Sequence, residues 1–300
     1  MRDYMIKLLF ILAALFPLFL TAETITVKTK APQNRNAVFQ YRVPKGYDKN
    51  RREMYRVLVI FGGRNTDGKA DASGRMGWGK WCDDNGIFLV APGLKNDNYW
   101  EPEEWSGKAL RKALQQLKKK YKVCTTKLLF YGYSAGSQAS NLFSAWKPEM
   151  CRAWVSHACG VFHEPTSYMK NTPGLVTCGD ADQARYIISR NFVEASRKKG
   201  VNIIWKSFPN TPHDVPPDSL KLARAFLAYY HELNRDDLSG GNSRPNSPKT
   251  EYIGDDQDAV YYPANSAKAK NVLPEDRVEL PNKSIADAWS IVPFYGNVYR

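Results

Sequence analysis

The segment LLFYGYSAGSQAS, residues 128–140, runs from a continuous apolar stretch into a turn of small residues with Ser134 at its centre. Gly132-Tyr133-Ser134-Ala135-Gly136 is a Gly-x-Ser-x-Gly pattern, which alone is weak because glycine–serine turns arise by chance. Its setting gives it meaning. KLLFYG (127–132) reads as a buried strand and AGSQASNLFSAW (135–146) as the helix that follows. A serine on a sharp strand-to-helix turn is thrust out of the chain, and only small residues two positions away avoid the neighbouring backbone. The new helix also aims its amide dipoles at the serine oxygen. Ser134 is therefore a candidate nucleophile, and the plainer reading is one more serine in a tight turn.

Elsewhere, YRVLVIF (55–61) and GIFLVAP (86–92) are continuous rather than alternating, as strands buried on both faces are; RAWVSHA (152–158) and GLVTCG (174–179) are further buried-strand candidates, and VNIIWKSF (201–208) completes the series. Helical stretches alternate with them. WSGKALRKALQQLKKKYK (105–122) places Ala109, Leu110, Ala113, Leu114 and Leu117 on one face, with Ser106 as a candidate N-cap. The helix after GLVTCG ends at Gly200, and DSLKLARAFLAYYHEL (218–233) closes the series. Upstream, ETITVKT (23–29) and AVFQYRVP (37–44) alternate like antiparallel strands that start the same sheet. This rhythm predicts an α/β fold: a mostly parallel central β-sheet with helices on both faces. LSGGNSRPNSPKT (238–250) has linker chemistry. The residues beyond it lack a long periodic run and read as an irregular C-terminal extension, although the aromatics of AVYYPAN and ADAWSIVPFYG favour packing over disorder.

A serine hydroxyl needs a base, and the chain has four histidines. His231 lies inside the last helix and His157 ends a buried strand, so both read as core or helix-face residues. His163 is in the loop after that strand. His213 stands in PNTPHDVPPDSL, between the last strand and the last helix, where loops leaving the carboxyl ends of parallel strands converge. It also completes the order serine, acid, histidine. The acid that would orient it is Asp180 or Asp182 in LVTCGDADQARY, and either could instead cap the following helix. Spacing and capping chemistry do not choose between them. An oxyanion hole would take one backbone N–H from Ala135 and one from the loop VIFGGRNTDG, with Gly63 as its candidate.

The assembled residues resemble the α/β-hydrolase superfamily. Within it, they resemble the secreted esterase branch of polyhydroxybutyrate depolymerases, feruloyl esterases and acetyl xylan esterases. The resemblance runs from about Tyr41 to Leu233. GYSAG matches the serine motif, and CGDAD stands where that branch has HGTAD, which implies Asp182 as the acid. His213 matches the histidine before the last helix. The loop histidine common in the branch is replaced by Phe61 ahead of Gly62 and Gly63. The resemblance implies hydrolysis of carboxylic esters through an acyl-enzyme, with no metal and no organic cofactor. Its rivals are a serine peptidase, an acyltransferase, and a non-catalytic binding protein on the same scaffold. GLKNDNYWEPEEW (93–105) could stack on a sugar or phenolic acyl group, or simply pack its own loop.

Composition sets the remaining bounds. Hydrophobic residues are 43% of the 300, so the chain can form a core and wholesale disorder is excluded. The net charge is +13, yet the stretch from Asp236 onward has ten acidic and seven basic residues, so the excess sits on the body. Its cations are scattered along helices without interleaved aromatics, which reads as a solvated surface rather than a nucleic-acid site. MRDYMIK followed by LLFILAALFPLFL and LTA has the layout of an export signal cut after Ala22. The run falls short of the roughly 20 residues a membrane helix needs. The expectation is a secreted or periplasmic protein without stable membrane insertion: signal 1–22, catalytic domain 23–235, linker and tail 236–300. Its partner would be an ester substrate, carbohydrate-linked ones included. The five cysteines, Cys82, Cys124, Cys151, Cys159 and Cys178, contain no CxxC spacing, and their number leaves at least one unpaired.

Overall fold

The computed structural model describes residues 22–28, 36–93, 101–201, 203–233, 235–239 and 248–291. The expected export segment (1–21), residues 94–100 of the aromatic stretch, the centre of the linker (240–247) and the end of ADAWSIVPFYG lie outside the described residues.

Two strands, β1 (Glu23–Lys28) and β2 (Asn36–Arg42), lead into β3 (Val57–Phe61), whose five residues are all buried. Helices α1 (Lys69–Ala72) and α2 (Trp78–Asn85) precede β4 (Phe88–Gly93). Strands and helices then alternate: α3 (Ser106–Lys120), β5 (Leu128–Tyr133), α4 (Ala135–Trp146), β6 (Cys151–His157) and β7 (Gly174–Gly179). The series closes with α5 (Gln183–Lys198), β8 (Ile203–Phe208) and α6 (Pro217–Leu233). The sheet order is β1-β2-β4-β3-β5-β6-β7-β8. β1 pairs antiparallel with β2, and β2 with β4; every later pairing is parallel. The carboxyl ends of β3 to β8 therefore share one rim.

Pleating decides which side chains meet which helices. Val57, Val59 and Phe61 pack with residues of α3, α4 and α5. Leu58 and Ile60 point the other way, into a cluster with α1, α2 and α6. Burying one such aliphatic side chain contributes about 1.5–3 kcal/mol, so two covered faces account for continuous rather than alternating hydrophobicity.

Two details differ from the sequence expectation. Trp105, not Ser106, holds the capping position of α3, and Ser106 is a buried helical residue. The entry is wound by backbone bonds instead, from Trp105 N–H to Glu101 O (3.1 Å) and Gly107 N–H to Pro102 O (3.1 Å). The second difference is larger. In place of an irregular extension, residues 252–289 form β9 (Tyr252–Asp255), β10 (Val260–Pro263), α7 (Ala267–Asn271), β11 (Arg277–Leu280) and α8 (Lys283–Trp289). The strands make a separate antiparallel sheet in the order β10-β9-β11. Ser266 and Asn282 cap the two helices by accepting from Ala269 and Ile285 N–H. Val278, Leu280, Ile285 and Trp289 join the α6 side of the main core. The Trp289 indole donates to Trp205 O on β8 (2.7 Å), and Arg190 on α5 pairs with Asp256 (2.8 Å). The module thus covers the sheet's last strand, which would otherwise be an open edge.

All five cysteines are buried and none is paired. Among the described residues no helix is long and apolar enough to cross a membrane.

Candidate active site

Ser134 sits at the junction of β5 and α4 with φ 55° and ψ −124°, a conformation that costs a non-glycine residue about 1–3 kcal/mol. Its N–H donates to His157 O on β6 (3.0 Å), which helps hold the turn. The flanking glycines are needed for space. A Cβ on Gly132 would lie 2.1 Å from Gly136 O, and one on Gly136 would lie 1.9 Å from Phe61 O. The second contact also shows that the loop leaving β3 touches the first turn of α4. Gly63, on that loop, lies against the Tyr133 ring, where a Cβ would stand 3.8 Å away, and Ala135 follows the serine at the start of α4.

His213, on the loop between β8 and α6, places Nε2 2.9 Å from Ser134 Oγ. Its Nδ1 lies 2.7 Å from Asp182 Oδ2. A carboxylate only accepts, so Nδ1 carries the proton and Nε2 is left to accept from the serine hydroxyl. Asp182 follows β7 and holds the capping position of α5, yet its side chain makes no cap bond. Its other oxygen accepts from Arg185 Nη1 (2.9 Å). Asp182 is 8% exposed, whereas Asp180 is exposed to solvent with its N–H bonded to Phe208 O. The structure therefore brings Ser134, His213 and Asp182 together and leaves Asp180 outside the line.

Three residues around this line gave no functional signal in the sequence. Tyr133, the variable residue before the serine, stacks on the His213 ring (centroids 5.3 Å, planes 26° apart) and donates to His213 O (3.3 Å). Burial, reinforced by Asp214, raises its phenol above the ordinary range, so it remains a donor. His157 Nε2 bonds Asp214 O (2.6 Å), so the proton is on Nε2, and Nδ1 accepts from the Thr177 hydroxyl (2.7 Å). Burial holds this imidazole down to about 4, against the pull of the Asp214 carbonyl, and it stays neutral while tethering the His213 loop to β6. Arg185 lies one helical turn after Asp182, an i,i+3 spacing that is visible in the sequence once the acid is known.

The other histidines stand apart. His231 is buried on α6, where Arg56 Nε donates to its Nδ1 (3.1 Å); exposed His163 turns its Nδ1 to Glu164 O. Beside Ser134 opens a cleft of about 530 Å³ whose lining includes Ala135 and Arg185. Among the described residues no group of three or more His, Cys, Asp or Glu could hold a metal ion.

Solved structures share this architecture. A ferulic acid esterase from the fungus Anaeromyces mucronatus superposes with a TM-score of 0.55 at 15% identity, over 71% of this chain and 90% of that one. The S-formylglutathione hydrolase of Staphylococcus aureus gives 0.55 at 10% identity, over 70% and 98%. The chain has the α/β-hydrolase fold. Poly(aspartic acid) hydrolase-1 from Sphingomonas sp. KT-1 gives 0.53 at 15% identity, over 65% and 94%. No protein-family model matches the sequence, and no curated protein matches it. In the α/β-hydrolase fold a nucleophile belongs on the turn after a central strand, with acid and histidine on later loops of the same rim. Ser134 after β5, Asp182 after β7 and His213 after β8 occupy such places.

Proposed function

We propose that this protein is an exported serine hydrolase of carboxylic esters, with Ser134 as nucleophile, His213 as general base and Asp182 as the acid that orients it. The carrying observation is the continuous line from Ser134 Oγ to His213 Nε2 (2.9 Å) and from His213 Nδ1 to Asp182 Oδ2 (2.7 Å). Ser134 Oγ attacks the ester carbonyl while its proton passes to His213 Nε2. In this reading the negative charge on the former carbonyl oxygen is met by the amides of Gly63 and Ala135, the two backbone donors of the oxyanion hole. Asp182 stabilises the imidazolium without taking its proton. His213 then protonates the leaving alcohol, and the acyl group stays on Ser134. Water, deprotonated by His213, attacks the acyl-enzyme and restores the serine. None of these steps calls on a cofactor.

The catalytic body corresponds to residues 23–235, and the apolar leader ending at Ala22 supports action outside the cytoplasm. The likeness to a ferulic acid esterase and the aromatic composition of residues 93–105 favour esters of carbohydrate or phenolic partners. The test is turnover of short aryl esters beside matched peptide amides. Ester cleavage is expected to exceed amide cleavage, and Ser134→Ala and His213→Ala should each lower kcat by about 10⁴-fold or more with the fold retained. Unchanged turnover in Ser134→Ala would refute the proposal.

A further inference from the structure

The cleft beside Ser134 has a lopsided chemistry. Its polar lining comes from Arg64, Gln138 and Arg185 along with the serine, its apolar lining includes Leu142 and Val161, and none of its lining residues is acidic. The two arginines enter from different elements. Arg64 follows Gly63 on the loop after β3; it is exposed and, among the described residues, has no ion-pair partner. Arg185 comes from the first turn of α5 and spends one N–H on Asp182 Oδ1 (2.9 Å). A guanidinium has five N–H donors, so four remain, and the bond to a buried carboxylate fixes where they point. Gly160 lies beside this edge: a Cβ there would stand 3.4 Å from Gln138 Nε2 and 3.7 Å from Arg185 Nε. Leu142 and Val161, the latter 59% exposed, supply apolar lining to the same cleft.

We propose that Arg64 and Arg185 recognise an anionic group on the substrate, so that the preferred ester carries a carboxylate a few carbon atoms from the scissile carbonyl; this rests on the serine hydrolase reading. Arg64 meets no carboxylate in the cleft and Arg185 keeps N–H groups beyond its bond to Asp182, so a substrate carboxylate reaching both accepts charge-assisted hydrogen bonds. Arg185 is already oriented, so little side-chain freedom is lost when it binds. The +13 net charge draws such an anion toward the protein over longer range. The carboxylate could belong to the acyl part or to the alcohol part, and the experiment separates them.

The full-length protein is assayed with two matched pairs of esters. The first pair is para-nitrophenyl hemiglutarate and para-nitrophenyl valerate, which puts the charge on the acyl side. The second is the butyrate of para-hydroxybenzoic acid and the butyrate of its methyl ester, which puts it on the alcohol side. In one pair the charged member is expected to have the higher kcat/KM by about tenfold, the size of effect that hydrogen bonds to charged groups produce. That ratio should shrink in high salt, fall toward one in Arg64→Gln, and invert in Arg64→Glu, whatever the absolute rates do. Ratios at or below one in both pairs, or a ratio that Arg64→Gln leaves unchanged, would overturn the anion site while leaving ester hydrolysis standing. Failure to cleave any of the four would bring down the hydrolase reading and this proposal with it.

Discussion

Asp180 and Asp182 follow the same strand two residues apart, and residue chemistry alone treats them alike. Either could cap α5, which is why spacing left them open and only the resemblance of CGDAD to a family pattern implied Asp182. The fold separates them by pointing one carboxylate at His213 and the other at solvent. Asp182→Asn is therefore expected to lower kcat by about 10²–10⁴-fold by favouring the wrong imidazole tautomer, while Asp180→Asn stays near wild type. Comparing kcat of the two purified variants checks this; equal losses would contradict it. His213 was legible because chain order and loop position both pointed to it. Tyr133 and His157 were not, because stacking on a ring and tethering a distant loop depend on neighbours 80 and 57 residues away. A strand-end histidine in a buried run carries no mark that distinguishes a tether from filler.

At the scale of elements, legibility followed length. The strands of the main sheet read clearly because short, largely apolar runs are buried on both faces, five or more consecutive residues in β3, β6 and β7. β9, β10 and β11 are four residues each, too short for a period to show, and although β9 and β10 form a local hairpin, β11 joins it from beyond α7. What makes them a module is tertiary: Gly254 admits the Trp289 ring, since a Cβ there would lie 2.7 Å from it, and the indole reaches β8. Trp289→Ala should cost about 3–5 kcal/mol of stability through the cavity it opens, measured by denaturant unfolding. A cost below about 1 kcal/mol would mean the module adds little to the body. A second tie joins the end of α6 to the base of the sheet, where buried Asp237 pairs with Arg152 and lies 4.0 Å from buried Arg56. Asp237→Ala removes the carboxylate that pairs with buried Arg152 and is expected to destabilise by about 3–5 kcal/mol in the same assay.

For the molecule as a whole, buried neutral histidines link stability to pH. Burial lowers His157 to about 4 and, with Arg56 adding repulsion, His231 to about 3. In the unfolded chain both take up protons near pH 6.5. Above that pH neither state is protonated and their contribution is flat. Below it the unfolded state binds more protons, so stability falls as pH drops from about 6.5 toward 4. Melting temperature against pH should bend downward in that window, and His231→Gln should lessen the slope; a flat profile would contradict the burial of both rings as neutral groups. The basic excess of the body belongs to this scale too. It was legible in composition, but its convergence on the serine cleft through Arg64 and Arg185 needed the fold, because those arginines are 121 residues apart.

If Ser134 is a nucleophile activated by His213, an electrophilic phosphorus reagent will capture it covalently. The protein is treated with a fluorophosphonate, digested, and the adduct located by mass spectrometry. The account predicts a single adduct on Ser134, absent in Ser134→Ala and formed far more slowly in His213→Ala. Absence of any adduct in the wild type, or an equal adduct in Ser134→Ala, would contradict it.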